Sequence, residues 1–153
     1  PQGALVITKL TDYALHLYAH ADYLAQHPVL EQISDLKSHC FISYMDDQLI
    51  SPSLNYLYEI CQPQRIGLRS ASLLIQQQAA LAGLGIAILP AFMASQNPEL
   101  QVILPQQVRI MRTFWMLMPT EQQDVPRTRL TWDFIKSTTQ QHHALMLGTK
   151  NPP

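Results

Sequence analysis

Residues 65–90 read RIGLRSASLLIQQQAALAGLGIAILP, and this stretch decides the predicted fold. The pattern predicts a strand, a helix capped by Ser70, a turn at Gly83 and an apolar strand that runs into Pro90. The Ser70 side chain can accept a backbone N–H two or three residues later, and Gly83 stands where a helix end needs a left-handed residue. Such a β-α-β unit leaves the helix N-terminus open at the carboxyl end of a strand, where open α/β sheets bind ligands.

The apolar residues of the predicted helix define the side that should face the sheet. Leu74 and Leu81 share one helical face, and Ile75, Ala79 and Ala82 widen it. The strand that follows is continuously apolar, which is typical of a strand covered on both sides. We therefore expect an amphipathic helix packed beside a buried strand.

The chain has 153 residues, 47% of them hydrophobic and 14% charged, with a net charge of −1. These values favour one globular domain of ordinary size over disorder. Because no face is obviously basic, the chain is a poor candidate for binding nucleic acid by itself. Its longest apolar run, residues 81–94, is broken by Pro90 and is too short to span a membrane. Cys40 and Cys61 lack a CxxC spacing, which favours free thiols in a reducing compartment over a disulfide.

Strands and helices alternate along the rest of the chain. The predicted helices are 21–27, 91–95 and 127–142, the last with Leu130, Phe134 and Ile135 facing inward. The predicted strands are 4–7, 13–19, 40–44, 101–104 and 113–118. This alternation argues for an α/β fold with a mixed sheet flanked by helices. An unpaired strand at the start would be an aggregation hazard, so we expect the chain to be part of a larger protein.

Four segments form a recognisable pattern in this order. Residues 15–25 hold a strand followed by an x-YLA helix, and residues 35–42 read DL-x-x-H-x-x-I. Residues 69–90 end in A-x-x-GLGIA-x-LP, and residues 114–135 hold the strand FWMLMP and a helix containing WDFI. In all four respects the chain resembles the C-terminal effector-binding part of LysR-type transcriptional regulators.

The resemblance implies two type II periplasmic-binding-protein-like subdomains with a cleft between them. Residues 18–110 would form the second subdomain, and residues 1–17 and 111–153 would be remnants of the first. The family's winged helix-turn-helix, linker helix and first half of that subdomain would be absent, so DNA would be contacted only through the missing N-terminal domain. The resemblance further implies a cytoplasmic homodimer or homotetramer with a small-molecule effector, no membrane contact and no cofactor.

The motifs that would indicate catalysis or metal binding are either absent from the sequence or have the wrong spacing between their residues. The GLG of residues 83–85 is not a dinucleotide-binding loop, because Ile88 replaces the third glycine and a helix precedes the turn. His16 and His20 lie on a predicted strand, where four residues span roughly 13 Å, so a metal site is not expected. The sequence has no GxSxG, HExxH or zinc-spaced Cys/His motif. We therefore predict neither enzyme activity nor a metal.

The candidate effector-binding residues surround the start of the central helix. Ser70, Ala71 and Ser72 form its predicted first turn, whose free N–H groups and dipole suit a carboxylate or other anion. The alternative is that Ser70 only caps the helix. A helix N-terminus contributes roughly 0.3–1 kcal/mol, whereas even a millimolar ligand needs about 4 kcal/mol. Further contacts are therefore required.

Three other residues are candidates for those contacts. Arg69 can pair with a carboxylate through two parallel hydrogen bonds. Tyr44 and His20 are candidates for lining the same mouth. For all three, a packing or surface role is the alternative.

The sequence is compatible with three different functions. The resemblance favours the ligand-sensing part of a LysR-type regulator that binds a small anionic effector. The alternative is a solute-binding protein of a transporter with the same fold, and an upstream signal peptide rather than a helix-turn-helix would favour it. An enzyme acting on an anionic metabolite would need a catalytic acid/base pair, and none is found.

Overall fold

The computed structural model describes residues 4–45 and 56–149, and within these ranges the chain forms one mixed sheet flanked by helices. The strands are β1 (Leu5–His20), β2 (Cys40–Ser43), β3 (Arg65–Arg69), β4 (Ile86–Pro90), β5 (Leu100–Ile103) and β6 (Ile110–Pro119). The α-helices are α1 (Ala21–Ala25), α2 (Tyr56–Ile60), α3 (Leu73–Leu81), α4 (Ala91–Ala94), α5 (Pro126–Gln141) and α6 (His143–Met146). Short 3-10 helices cover Ile33–Ser38 and Thr120–Gln122. The expected α/β class is confirmed.

The sheet combines parallel and antiparallel pairing around β1. Strands run in the order β3-β2-β4-β1-β5, with β2 parallel to β3 and β4, and β1 antiparallel to β4, β5 and β6. Leu15 is opposite both Pro90 of β4 and Ile110 of β6, so these two strands lie on opposite edges of β1. Leu17 is likewise shared between β4 and β5. Strands β5 and β6 therefore follow one another along the same edge of β1.

Two buried clusters fill the two faces of the sheet. One cluster joins β1 to α1 and α2 through Leu17, Tyr23 and Leu57. The other joins β1 to α3 through Tyr18 and Ala80, together with residues of β4 and α4. Because neighbouring residues of a strand point to opposite faces, one segment of β1 supplies both clusters.

Strand β1 is one continuous element where the sequence predicts separate strands at 4–7 and 13–19. The polar residues Thr8, Lys9, Thr11 and Asp12 pair with β6, and the register shifts at Leu10, between Lys9 and Thr11. Backbone pairing with a distant strand therefore keeps this segment in the ladder. The first half of β1 and β6 form a two-stranded ribbon, defined here as Leu5–Ala14 paired with Met111–Pro119.

The prediction for the inward face of the central helix is wrong. Leu74 and Ile75 are 66% and 53% exposed, whereas Gln76, Ala79 and Ala80 are buried, and so is Gln77. Small alanines let the helix approach the sheet closely, and the buried glutamine amides find backbone acceptors. Of the predicted inward residues, Ala79 is buried, Leu81 is partly buried and Ala82 is exposed.

The residues of the long C-terminal helix that are predicted to face inward are not covered within the described part of the chain. Leu130, Phe134 and Ile135 of α5 are exposed, the first two by 74% and 66%. On the ribbon, Ile7 and Trp115 are more than half exposed as well. The ribbon and α5 thus present an apolar surface that residues 4–45 and 56–149 do not cover. A surface of this kind normally packs against further protein.

Two glycines hold the turn between α3 and β4, and they differ in their surroundings. Gly83 has φ +74°, which confirms the predicted left-handed residue, and a Cβ there would meet nothing within 4 Å. Gly85 has φ +156°, and a Cβ there would collide with the carbonyl oxygen of Cys40 and lie 2.9 Å from its carbon. Gly85 therefore lets β4 lie beside β2.

Substitution of alanine at these two glycines separates backbone strain from steric collision. We expect Gly85→Ala to lower the free energy of unfolding by about 2–4 kcal/mol, because strain and a backbone clash add. Gly83→Ala serves as the control and should lose only about 1–2 kcal/mol. Urea denaturation of both variants measures the difference, and equal losses would contradict the proposed contact.

A buried histidine joins α1 to β2. His39 is fully buried, with its Nδ1 3.3 Å from the Tyr23 hydroxyl, and that hydroxyl accepts the Cys40 N–H at 3.0 Å. The ring of His27 stacks on Tyr23 and lies 5.8 Å from that of His39. Burial, followed by the nearby His27, lowers the pKa of His39 below 6.5, while a hydrogen bond to the Pro28 backbone and, less strongly, Asp35 oppose the shift.

This histidine makes stability depend on pH. The unfolded chain takes up the His39 proton near pH 6.5 and the folded chain only at lower pH, so stability falls as the pH drops below 6.5. We expect His39→Gln to flatten this part of the profile. The measurement is urea denaturation between pH 5 and 8, with His142→Gln, an exposed position, as the control. An unchanged slope in His39→Gln would rule the explanation out.

Candidate functional site

The candidate site lies at the carboxyl edge, the edge of the sheet where β2, β3 and β4 end. Ser43 of β2 is opposite Arg69 of β3, and the two strands are parallel. The Ser70 N–H donates to the Ser43 carbonyl at 2.9 Å, which extends the ladder one residue further. Tyr44 follows Ser43 directly, so Arg69, Ser70 and Tyr44 are brought together at this edge.

The turn before α3 differs from the predicted capped helix. Helix α3 begins at Leu73, and its N-cap residue is Ser72, which makes no side-chain capping bond. Ser70 does accept the Ser72 N–H through its hydroxyl at 3.1 Å, but it does so within the turn that precedes the helix. Residues 70–72 are therefore a turn leading into α3 rather than its first turn.

The three residues of the turn differ in their exposure to solvent. Ser70 is only 8% exposed, whereas Ala71 is exposed and Ser72 is partly exposed. The first N–H groups of α3, starting at Leu73, have no acceptor within the helix. A ligand would therefore meet the backbone of Ala71 to Leu73, while the Ser70 side chain braces the turn from behind.

A buried amide holds the turn in place. Gln76 is 1% exposed, and its Nε2 donates to the Ser70 carbonyl at 2.8 Å. A cavity of about 10 Å³ beside it is lined in part by Ser43, Tyr44 and Tyr56. This space is large enough for at most one water molecule, so the floor of the site is packed and a ligand must bind on its outer side.

His20 does not belong to this site. It is the last residue of β1, and β1 is antiparallel to β4, with Tyr18 opposite Ala87 near the start of that strand. His20 therefore lies at the opposite edge of the sheet, where its Nδ1 accepts the Asp22 N–H at 3.1 Å and caps α1. The sequence placed it wrongly because strand direction is not visible in a single segment.

Three residues that the sequence did not single out complete the edge. Tyr13 and Arg112 are opposite one another on the ribbon. They lie two residues beyond the pair Leu15 and Ile110, and Leu15 is also opposite Pro90 at the end of β4. The Arg112 Cζ lies 5.1 Å from the ring centre of Tyr56, and Tyr56 makes an edge contact with Tyr44 at 6.2 Å between ring centres. We call Tyr13, Tyr44, Tyr56 and Arg112 the tyrosine–arginine cluster.

Two tyrosines of the cluster have a raised pKa. Burial raises the pKa of Tyr44 and, more strongly, that of Tyr56, whose side chain also hydrogen-bonds to Tyr13. The hydroxyls of Tyr44 and Tyr56 therefore remain protonated at neutral pH. No signal in the sequence could have joined these residues, since they come from β1, α2 and β6 and the segment after β2.

The described ranges contain neither a metal-binding cluster nor a disulfide. No group of three His, Cys, Asp or Glu side chains within residues 4–45 and 56–149 is arranged to hold a metal ion. Cys40 and Cys61 are free thiols and partly buried. In the same ranges, no helix is long and apolar enough to cross a membrane.

Replacing Gln76 tests whether its amide holds the turn. Gln76→Leu leaves the Ser70 carbonyl without its donor, and we expect unfolding to become easier by about 1–3 kcal/mol. Amide hydrogen exchange at Ser70 and Ser72 should accelerate more than in β4. Gln77→Leu is the matched control, since the Gln77 amide donates to Met93 instead. Unchanged exchange in the turn of Gln76→Leu would contradict the role.

Comparison with known proteins assigns the family. The profile of the LysR substrate-binding domain matches residues 1–140. This chain therefore belongs to the LysR substrate-binding domain family, the effector-binding domain of LysR-type transcriptional regulators. No curated protein matches the chain at a significant level.

Solved structures share the fold at low sequence identity. The regulatory domain of CrgA, a LysR-type regulator from Neisseria meningitidis, superposes with a TM-score of 0.69 at 19% identity, covering 87% of this chain and 68% of that one. The CcmR regulatory domain from Synechocystis, in complex with 2-PG, gives 0.65 at 19%, covering 90% and 68%. The effector-binding domain of QuiR, in complex with shikimate, gives 0.64 at 18%, covering 90% and 66%. The chain thus has the periplasmic-binding-protein-like fold of these domains.

Proposed function

We propose that this chain senses a small anionic effector at the carboxyl edge, in a cleft between two subdomains. The observation that carries the proposal is the turn at Ala71, which is exposed, and Ser72, which is partly exposed, leading into α3 beside Arg69 and Tyr44. A helix start of this kind favours negative charge. The effector-binding residues are Arg69, Ser70, Ala71, Ser72 and Tyr44, with Ser70 acting through the turn that it braces.

The proposed subdomains follow the pairing of β1. Residues 18–110 form the second subdomain, and residues 1–17 and 111–153 contribute to the first. This division is supported by the ribbon, which extends beyond the sheet formed with β4 and β5. The apolar surface of the ribbon and α5 is then where the rest of the first subdomain packs, and the cleft lies between it and the carboxyl edge.

Several weak contacts must combine to give a useful affinity. The helix N-terminus contributes roughly 0.3–1 kcal/mol, and a millimolar dissociation constant requires about 4 kcal/mol. A charge-assisted bond from Arg69 and a hydroxyl from Tyr44 are suited to supply part of the difference. An effector that prefers the closed cleft shifts the population towards it. In the full regulator, a homodimer or homotetramer passes this shift to the DNA-binding domain.

The similar domains support an anionic effector. QuiR is described with shikimate, which is a carboxylate, and CcmR with 2-PG. A transporter solute-binding protein is less well supported, because the family to which the chain belongs is that of transcriptional regulators.

A proline substitution tests the role of the helix start. Leu73 is the first residue of α3, a position that accepts proline, and the extended Ser72 before it is compatible. Leu73→Pro removes one N–H, and Leu73→Ala is the control that loses the same side chain. We expect Leu73→Pro to bind shikimate or inorganic phosphate at least about tenfold more weakly than the control, since a bond to a charged group is lost.

The binding measurement is an NMR titration of both variants and the unmodified chain. Amide signals of residues 71 and 72, and that of residue 73 in the two proteins that keep its N–H, should move with the anion, whereas that of His20 at the opposite edge should not. Glycerol is the neutral comparison. Equal affinities for Leu73→Pro and Leu73→Ala, or shifts confined to the His20 edge, would overturn the proposed site.

A further inference from the structure

Arg112 uses only part of its hydrogen-bonding capacity. Its Nη1 donates to the Met111 carbonyl at 3.0 Å, and its Nη2 donates to Oε1 of Glu59 at 2.6 Å. Its Nε–H is also a donor, but Nε is buried and has no hydrogen-bond partner among residues 4–45 and 56–149. On the side of the guanidinium formed by Nε and Nη2, therefore, only Nη2 has a hydrogen-bond partner.

This side of a guanidinium is the one that fits a carboxylate or phosphate. The two N–H groups are parallel and match two oxygens of a single anion. Glu59 satisfies one of them, and a buried donor left without an acceptor is unfavourable. An anion that contacts both Nε and Nη2 would make one more hydrogen bond than Glu59 makes.

The surroundings allow such an exchange. The Glu59 side chain is 47% exposed, so it can turn into water, while the Arg112 side chain is 26% exposed and rests on the Tyr56 ring. A groove of about 340 Å³ runs past both, and its lining includes Gln107 and Arg109. The groove is lined by two arginines and one amide but by a single carboxylate. It therefore has a surplus of positive charge and of hydrogen-bond donors.

We propose that Glu59 is a resting counter-ion of Arg112, and that the effector displaces it with an anionic group held by both Nε and Nη2. The ligand class is a carboxylate or a phosphate with two accessible oxygens. The inference rests on the proposed function, because the sensed effector supplies the anion. Displacement breaks the ion pair that joins Glu59 of α2 to Arg112 of β6. Effector binding therefore changes a contact of the ribbon.

Removing the competing charge tests the exchange. Glu59→Gln should bind anions more tightly by up to about fivefold, which corresponds to the strength of a half-exposed ion pair. Arg112→Lys keeps the charge but loses the paired donors, and it should weaken binding at least about tenfold. The probes are inorganic phosphate and acetate, titrated separately at constant ionic strength set with sodium chloride. Glu121→Gln and Arg129→Lys, both exposed and outside the groove, are the controls.

The readout is the NMR signal of the Arg112 Nε–H, followed together with the amides of residues 71–73. Movement of the Arg112 signal with either probe, combined with tighter binding by Glu59→Gln, supports the exchange, and the stronger probe identifies the anion class. A stationary Arg112 signal at saturation, or wild-type affinity in Glu59→Gln, overturns it. If residues 71–73 still respond, the proposed function stands without the exchange. If only Arg112 responds, the exchange stands and the helix start is excluded.

Discussion

Strand β1 is shared by three other strands, and the arrangement of the molecule depends on that sharing. Its second half pairs with β4 on one edge and β5 on the other, and its first half pairs with β6. Since each backbone group must find a partner, this pairing fixes where β4, β5 and β6 lie, and β2 and β3 follow from β4. It also sets the direction of β1 against β4, which puts His20 at one edge of the sheet and Tyr13 at the other.

The candidate site depends on buried polar groups more than on apolar packing. Gln76 occupies a position that an apolar side chain would fill in an ordinary amphipathic helix, and its amide holds the Ser70 carbonyl instead. A buried amide is tolerated only where its partner is fixed, so the turn and the helix constrain each other. With that constraint in place, Leu74, Ile75 and Ala71 are exposed.

Electrostatics at the carboxyl edge come from residues that are distant in sequence. Arg112 on β6 lies over Tyr56 of α2, and Glu59 of the same helix balances its charge. A ligand that competes for this arginine acts on two elements at once, since α2 packs on one face of the sheet and β6 belongs to the ribbon. The ion pair therefore offers a physical route from ligand binding to a change in geometry, provided that the ligand prefers one arrangement.

The sequence by itself determined the α/β class, the family resemblance, the left-handed Gly83 and the approximate place of the Ser70 turn, because these follow from local patterns of apolar residues, glycine and capping groups. It could not determine which side of α3 is buried, since Gln76 is accommodated only by a backbone acceptor that the fold supplies. Nor could it determine that the apolar residues of α5 are left exposed. Nor could it show that His20 lies away from the candidate site and that Arg112 lies beside it. Those assignments depend on strand direction and on pairing between remote segments, and only the tertiary structure decides them.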